Sequence, residues 1–132
     1  MNINIECSTI NINKNLMINA NHFSIWLVFE GICENALEAI SGNNIINGEI
    51  KIELSESKDK KYVIIDVSDN GGGFDDIEKV FDPFYTTKSR TKKKGIGLSI
   101  AYNMINEHSG IIEASNNDKG GTITIKLPIK LS

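Results

Sequence analysis

Apolar and polar residues alternate at the start of the chain. Ile3, Ile5 and Cys7 keep one phase, and Ile10 and Ile12 resume it after a slip of one residue. Period two marks a half-buried strand, and the slip predicts a bulge or a turn. A short strand is expected around Leu16–Ile18. The period then changes. From His22 to Ile40 the apolar residues Ile25, Val28, Phe29, Ile32, Ala36 and Ile40 recur at helical spacing, while Glu30, Glu34 and Glu38 form a second stripe. Asn19, Asn21 and Ser24 are candidate helix starts, and Gly42, Asn43 and Asn44 end the helix. Alternation returns over Glu49–Glu56 and Lys61–Asp69, joined by the polar turn Ser57–Lys60. The second of these strands stops at Asp69-Asn70-Gly71-Gly72-Gly73.

Residues 74–97 are polar and carry no period, and they end in the basic run Lys88–Lys94. A stretch this long without structure inside a domain is usually functional. Leu98–His108 reads as a helix stopped by Gly110, and Ile111–Asn116 and Thr122–Leu127 as strands around the turn 117–121. The order is strand, helix, two strands, long loop, helix, two strands. It predicts an α+β fold, a two-layer sandwich with one sheet covered on one face by helices. Strict βαβ alternation is missing, which argues against a doubly wound nucleotide fold. There are no repeats and no linkers, so residues 1–132 are expected to form a single domain.

Composition narrows the classes. The chain has 132 residues, 40% hydrophobic and 23% charged, which is ordinary for a globular domain. Fourteen basic against seventeen acidic side chains give a net charge of −3, too mild for general affinity to nucleic acid or a membrane surface. No apolar run reaches the length of a membrane span, and the N-terminus lacks the basic and apolar regions of a signal peptide. Cys7 and Cys33 have no metal-binding spacing and read as reduced thiols of a cytosolic domain.

Three features carry candidate chemistry. Gly95-Ile96-Gly97 ahead of a helix leaves unpaired backbone N–H groups at the positive end of the helix dipole, a seat for phosphate or simply a tight turn. Asp69, where a strand gives way to glycines, is either an ordinary turn residue or a carboxylate that accepts a hydrogen bond from a ligand amino group. Asn35 lies on a largely apolar helix and is either a satisfied core amide or an oxygen ligand, of the kind suited to Mg²⁺. The basic run is open to three readings: a solvated loop, a phosphate-facing segment or a nucleic-acid patch, the last disfavoured by the acidic chain.

In fixed order, Glu34-Asn35-Ala36-Leu37-Glu38-Ala39-Ile40, Asp69–Phe74 (DNGGGF), Phe81–Lys88 (FDPFYTTK), Gly95–Ile100 (GIGLSI) and Gly120-Gly121-Thr122 resemble the ATP-binding catalytic domain of sensor histidine kinases. That domain belongs to the superfamily that also holds gyrase, Hsp90 and MutL ATPases. The resemblance covers roughly residues 16 to 128. It implies an α/β sandwich with a mixed, mostly antiparallel sheet, and ATP and Mg²⁺ as cofactors. By resemblance, Asn35 is the Mg²⁺ ligand, Asp69 contacts the adenine amino group, and Gly71 and Gly73 let the backbone pass the base. Phe81, Phe84 and Tyr85 match the aromatic box of an ATP lid at about 74–97, and Lys88 is placed to reach a phosphate. Gly95, Gly97 and Leu98 match the second glycine box, and Gly121 and Thr122 the last pair near the adenine pocket.

One position departs from the family. Four residues before Asn35 the family usually has a polar side chain, and here stands Gly31, which either weakens Mg²⁺ geometry or makes room for a neighbouring element. His22 and His108 are followed by Phe23 and Ser109, not by the acidic residue of a phosphoacceptor motif. The acceptor histidine is therefore expected on a separate dimerisation domain, with a response regulator downstream. Nucleic acid and membrane are not expected as partners, and a cytoplasmic monomer with little phosphotransfer of its own is. Two other functions compete: a free-standing anti-sigma-factor relative that phosphorylates serine on an anti-anti-sigma partner while binding a sigma factor, and a degenerate nucleotide-binding interaction module.

Overall fold

A computed structural model of the chain describes residues 2–82 and 96–130. Among the described residues, five strands and two α-helices appear in chain order: β1 (Asn2–Ile10), α1 (His22–Gly42), β2 (Asn47–Glu56), β3 (Tyr62–Asp69), a 3₁₀ turn (Ile77–Lys79), α2 (Ile96–Glu107), β4 (Ile111–Asn116) and β5 (Gly121–Pro128). They form one sheet in the order β1-β2-β3-β5-β4. Only β1 and β2 pair in parallel, across the α1 crossover; the other pairs are antiparallel. The single sheet agrees with the element order, and its mixed, mostly antiparallel pairing with what the resemblance implies.

The alternation explains the layering. Ile50, Val63, Ile65, Val67, Ile112, Ile123, Ile125 and Leu127 are buried on one face of the sheet. Against them pack Val28, Ile32, Ala36 and Ile40 of α1 and Leu98, Ala101 and Ile105 of α2. Side chains two apart on a strand and three or four apart on a helix share a face, so both periods deliver their apolar sets to one layer. The opposite face stays polar: Ser68 meets Thr122 through their hydroxyls (3.0 Å), and Thr124 bonds Asp66.

Several expectations are corrected. The slip after Cys7 is not a bulge, because β1 pairs with β2 without interruption from Asn2 to Ile10. Ile10 therefore turns to the other face, and the chain bends at Asn11, which takes φ +47°. The expected strand at Leu16–Ile18 is a single bridge, Ile18 to Ile129. Within the stretch read as unstructured, Asp76 caps the 3₁₀ turn and Val80 is buried.

Two asparagine-centred contacts hold the helix ends. Asn21 is the cap of α1, its Oδ1 accepting from Ser24 N–H at 3.0 Å. His108, just past α2, accepts from Asn21 N–H through Nε2 (3.1 Å) and donates from Nδ1 to Met104 O (2.7 Å). An amide can only donate, so this pair of bonds selects the neutral Nδ1–H tautomer. His108 thus latches the end of α2 to the start of α1.

Candidate functional site

At one end of the sheet, four helix-side positions form a row across the strands. Asn116 pairs with Gly121, Gly121 lies beside Asp69, and Asp69 pairs with buried Ile50. Asp69 Oδ1 accepts from Gly71 N–H at 2.8 Å and from Gly121 N–H at 3.5 Å. Among the described residues nothing donates to Oδ2, which leaves that oxygen for a ligand. Burial pushes the Asp69 carboxyl above the usual carboxylate range, and the two backbone N–H groups oppose that shift.

After Asp69 the chain needs glycine. Gly72 and Gly73 take φ +102° and +87°, backbone that L side chains rarely adopt. Gly71 presses on α1, where a Cβ on it would lie 2.7 Å from the Ala39 Cβ. The Phe74 ring lies over Gly121, where a Cβ would come within 2.6 Å of it.

The other end of the site is a helix crossing. A Cβ on Gly31 would lie 2.7 Å from Gly97 O, 3.0 Å from Gly97 C and 3.3 Å from Gly97 Cα. The structure supports the packing reading of Gly31: it lets the first turn of α2 come against α1. Residues 31, 35 and 39 are spaced four apart and so lie in one stripe of α1. Gly31 therefore touches the start of α2, Ala39 touches the glycine loop after β3, and Asn35 lies between, about 6 Å of helix axis from each. Asn35 is half-buried, and its amide makes no hydrogen bond among the described residues.

The expected site residues distribute as follows. Asn35, Asp69, Gly71, Gly73 and Gly97 line the α1 stripe and the loop facing it. Of the Gly121-Thr122 pair, Gly121 reaches Asp69, whereas Thr122 turns to the opposite sheet face and bonds Ser68. Leu98 is buried in the core, and Phe81 stacks on Tyr102 of α2 (centroids 5.4 Å apart). Phe84, Tyr85, Lys88, the basic run and Gly95 lie outside the described residues.

Sequence reasoning missed the residues that grip the loop. Asn43 Nδ2 donates to Gly71 O and Ala39 O. Asn116 holds both backbone groups of Phe74, accepting from its N–H (2.7 Å) and donating to its carbonyl (2.9 Å). The available signal was parity: Asn116 shares the phase of Ile112 and Ala114, an amide where an apolar residue belongs.

Among the described residues no cluster of three or more His, Cys, Asp or Glu could hold a metal. Mg²⁺ does not need one, because it binds few protein oxygens and keeps several waters. The unbonded, half-buried Asn35 amide fits that demand.

Comparison with known proteins identifies the family. The family described as histidine kinase-, DNA gyrase B- and HSP90-like ATPase matches residues 21–131. The signal transduction histidine-protein kinase AtoS of Escherichia coli K12 is 38% identical over 115 residues, 85% of this chain and 18% of its own. The sensor histidine kinase WalK of Bacillus subtilis 168 is 35% identical over 124 residues, 89% of this chain and 20% of its own. The chain thus spans about a fifth of the length of these relatives. Among solved structures, the nucleotide-free catalytic domain of histidine kinase ThkA superposes with a TM-score of 0.78 at 30% identity, over 96% of this chain and 78% of that one. ThkA has also been solved in complex with the response regulator TrrA, matching at a TM-score of 0.73 over 97% of this chain and 34% of that one. By the family match and the agreement in fold, the chain belongs to the histidine kinase-, DNA gyrase B- and HSP90-like ATPase family.

Proposed function

We propose that this chain binds ATP–Mg²⁺ and presents the γ-phosphoryl group to a histidine on a separate dimerisation domain, as part of a two-component sensor kinase. One observation carries the reading. A single stripe of α1 connects the loop of Asp69 to the first turn of α2, with the unbonded Asn35 amide between them. The free oxygen of Asp69 accepts from the adenine amino group, and the glycine loop admits the base. The N-terminus of α2, with its positive dipole end, attracts the phosphates. Asn35 is the protein ligand to Mg²⁺, whose chemistry when bound is to neutralise phosphate charge. Phosphoryl transfer depends mainly on such positioning and charge neutralisation, and the nucleophilic imidazole comes from another domain. Lys88 and Gly95 are assigned to the phosphate end, and Phe81, Phe84 and Tyr85 to the lid. The reading is completed by a cytoplasmic, monomeric domain whose separate acceptor-histidine partner domain passes the phosphoryl group on to a response regulator. Among the described residues no helix is long and apolar enough to cross a membrane.

The test is calorimetric titration with a non-hydrolysable ATP analogue, with and without Mg²⁺, on the wild type, Asp69→Asn and Asn35→Ala. Binding that Asp69→Asn abolishes, with a Mg²⁺ dependence that Asn35→Ala removes, supports the site. A folded wild type that binds no nucleotide refutes it.

A further inference from the structure

The glycine loop looks pliable in sequence, yet it is tied to the surrounding elements at several backbone groups. Asn70 exchanges both backbone bonds' worth of contact with β2: its N–H donates to Glu49 O (3.2 Å), its Oδ1 accepts from Glu49 N–H (2.8 Å), and its Nδ2 donates to Asn47 O (2.9 Å). Gly71 O accepts from Asn43 at the end of α1. Gly72 N–H donates to Lys119 O (3.3 Å) in the β4–β5 turn, a turn that Asn117 caps by accepting from Lys119 N–H and Gly120 N–H. Phe74 is clamped at both ends by Asn116. The Asn116 Oδ1 also fills the space beside Gly73, where a Cβ would lie 2.8 Å from it.

These ties converge on one atom. Asp69 Oδ1 is oriented by Gly71 N–H and Gly121 N–H, and both donors belong to segments that the asparagines hold. We propose that Asn116, with Asn43, is a positioning residue for base recognition: it fixes the loop so that the free Asp69 oxygen meets an amino group and rejects a carbonyl. The inference rests on the function proposed above. An adenine ring offers its exocyclic amino group to that oxygen, whereas hypoxanthine presents a carbonyl oxygen, and two acceptors repel. Discrimination of this kind is strict only when the acceptor cannot swing away, because a buried polar group left facing the wrong partner carries the penalty. Asn116 touches no nucleotide in this role; it acts through Phe74, Gly73 and Gly71.

The position of Asn116 separates this role from simple stabilisation. Its bonds to Phe74 are solvent-exposed, so water can replace them at small cost to the fold. Water cannot reproduce the two-point alignment of the loop. Asn116→Ala is therefore expected to lower the melting temperature slightly and to lower base selectivity much more.

The experiment measures calorimetric dissociation constants for ATP and for ITP, with Mg²⁺, in the full chain. The variants are Asn116→Ala, Asn116→Asp and Asn43→Ala, with His108→Ala as a control that destabilises a distant latch. Wild type is expected to favour ATP over ITP by at least tenfold. Asn116→Ala and Asn43→Ala should each cut that ratio at least threefold. Asn116→Asp keeps the acceptor for Phe74 N–H and should fall between; it also serves if Asn116→Ala fails to fold. His108→Ala should leave the ratio unchanged. Equal weakening of both nucleotides by Asn116→Ala, or a His108→Ala effect of the same size, would overturn the positioning role. A wild type that binds ATP and ITP equally would overturn it too, while one that binds neither would overturn the function beneath it.

Discussion

Replacing Gly31 with alanine tests the helix crossing directly. Taken as an isolated helix position, glycine is a poor choice, and alanine there should stabilise by about 0.5–1 kcal/mol. The crossing reverses the sign. The new Cβ would lie 2.7 Å from Gly97 O and 3.0 Å from Gly97 C, both backbone atoms in the first turn of α2. A backbone atom cannot rotate aside as a side-chain tip can, so the helices must separate by several tenths of an ångström. Overpacking of this kind costs about 1–3 kcal/mol. Set against the propensity gain, the net expectation is a loss of about 1–2 kcal/mol, or a fall in Tm of roughly 3–8 °C for a domain of this size. Gly97→Ala should cost less, since its Cβ would sit 3.2 Å from Gly31 Cα. Gly42→Ala, at the exposed end of the same helix, should be neutral or stabilising. Scanning calorimetry ranks the three, and titration with a non-hydrolysable ATP analogue shows whether Gly31→Ala also weakens binding by moving α2 from Asn35. A Gly31→Ala protein as stable as Gly42→Ala, with unchanged affinity, would refute the close approach.

Three further outcomes follow from the contacts. Loss of the helix latch in His108→Ala removes two hydrogen bonds and should cost about 1–2 kcal/mol, measured by denaturant titration, with nucleotide affinity preserved. Asn21→Ala removes the α1 cap and should cost about 1 kcal/mol by the same assay. For Asp69 the dependence on pH has a definite sign. Burial raises its folded pKa, so the folded state holds the proton more tightly, and its contribution to stability is full below the unfolded pKa and lost as pH rises through the folded value. Melting curves should therefore show the Tm of wild type minus that of Asp69→Asn falling as pH rises across the window between the ordinary Asp value and the raised one; a difference that grows instead would contradict the burial.

The parts of the fold that were legible in the sequence are those set by local periodicity. Alternation located β2 and β3, helical spacing located α1, and both recovered the layer that each face joins. The failures occur where local pattern is silent. A one-residue slip reads the same whether it makes a bulge or a strand end, and only the uninterrupted pairing to Ile10 decides. The start of α2 was placed at Leu98, because a glycine at 97 reads as the end of a loop; it lies inside the helix because Gly31 needs a partner without a side chain. In the candidate site, the turn from Asp69 into the glycines was legible because it is local to six residues. Asn43, Asn116 and His108 were not, since their partners lie 28, 42 and 87 residues away.

That division has a physical consequence for how such a site is built. The two ends of the α1 stripe are held by different forces. At the α2 end, two glycines meet by steric fit, which tolerates no added atom but has no directional preference. At the Asp69 end, amide side chains grip backbone groups, which fixes direction but tolerates water on the outside. Under the function proposed above, with phosphate at the α2 end and the base at the Asp69 end, the demands of the ligand explain the difference. A phosphate group is recognised largely by charge and dipole, which fall off gently, so the task there is to bring a helix terminus close. A base edge is recognised by the order of donors and acceptors, which fails with a small rotation, so the task there is alignment. A close crossing answers the first need and a collar of asparagines the second. Gly31, four residues before Asn35, offers no side chain to a ligand and instead permits the contact that brings α2 near.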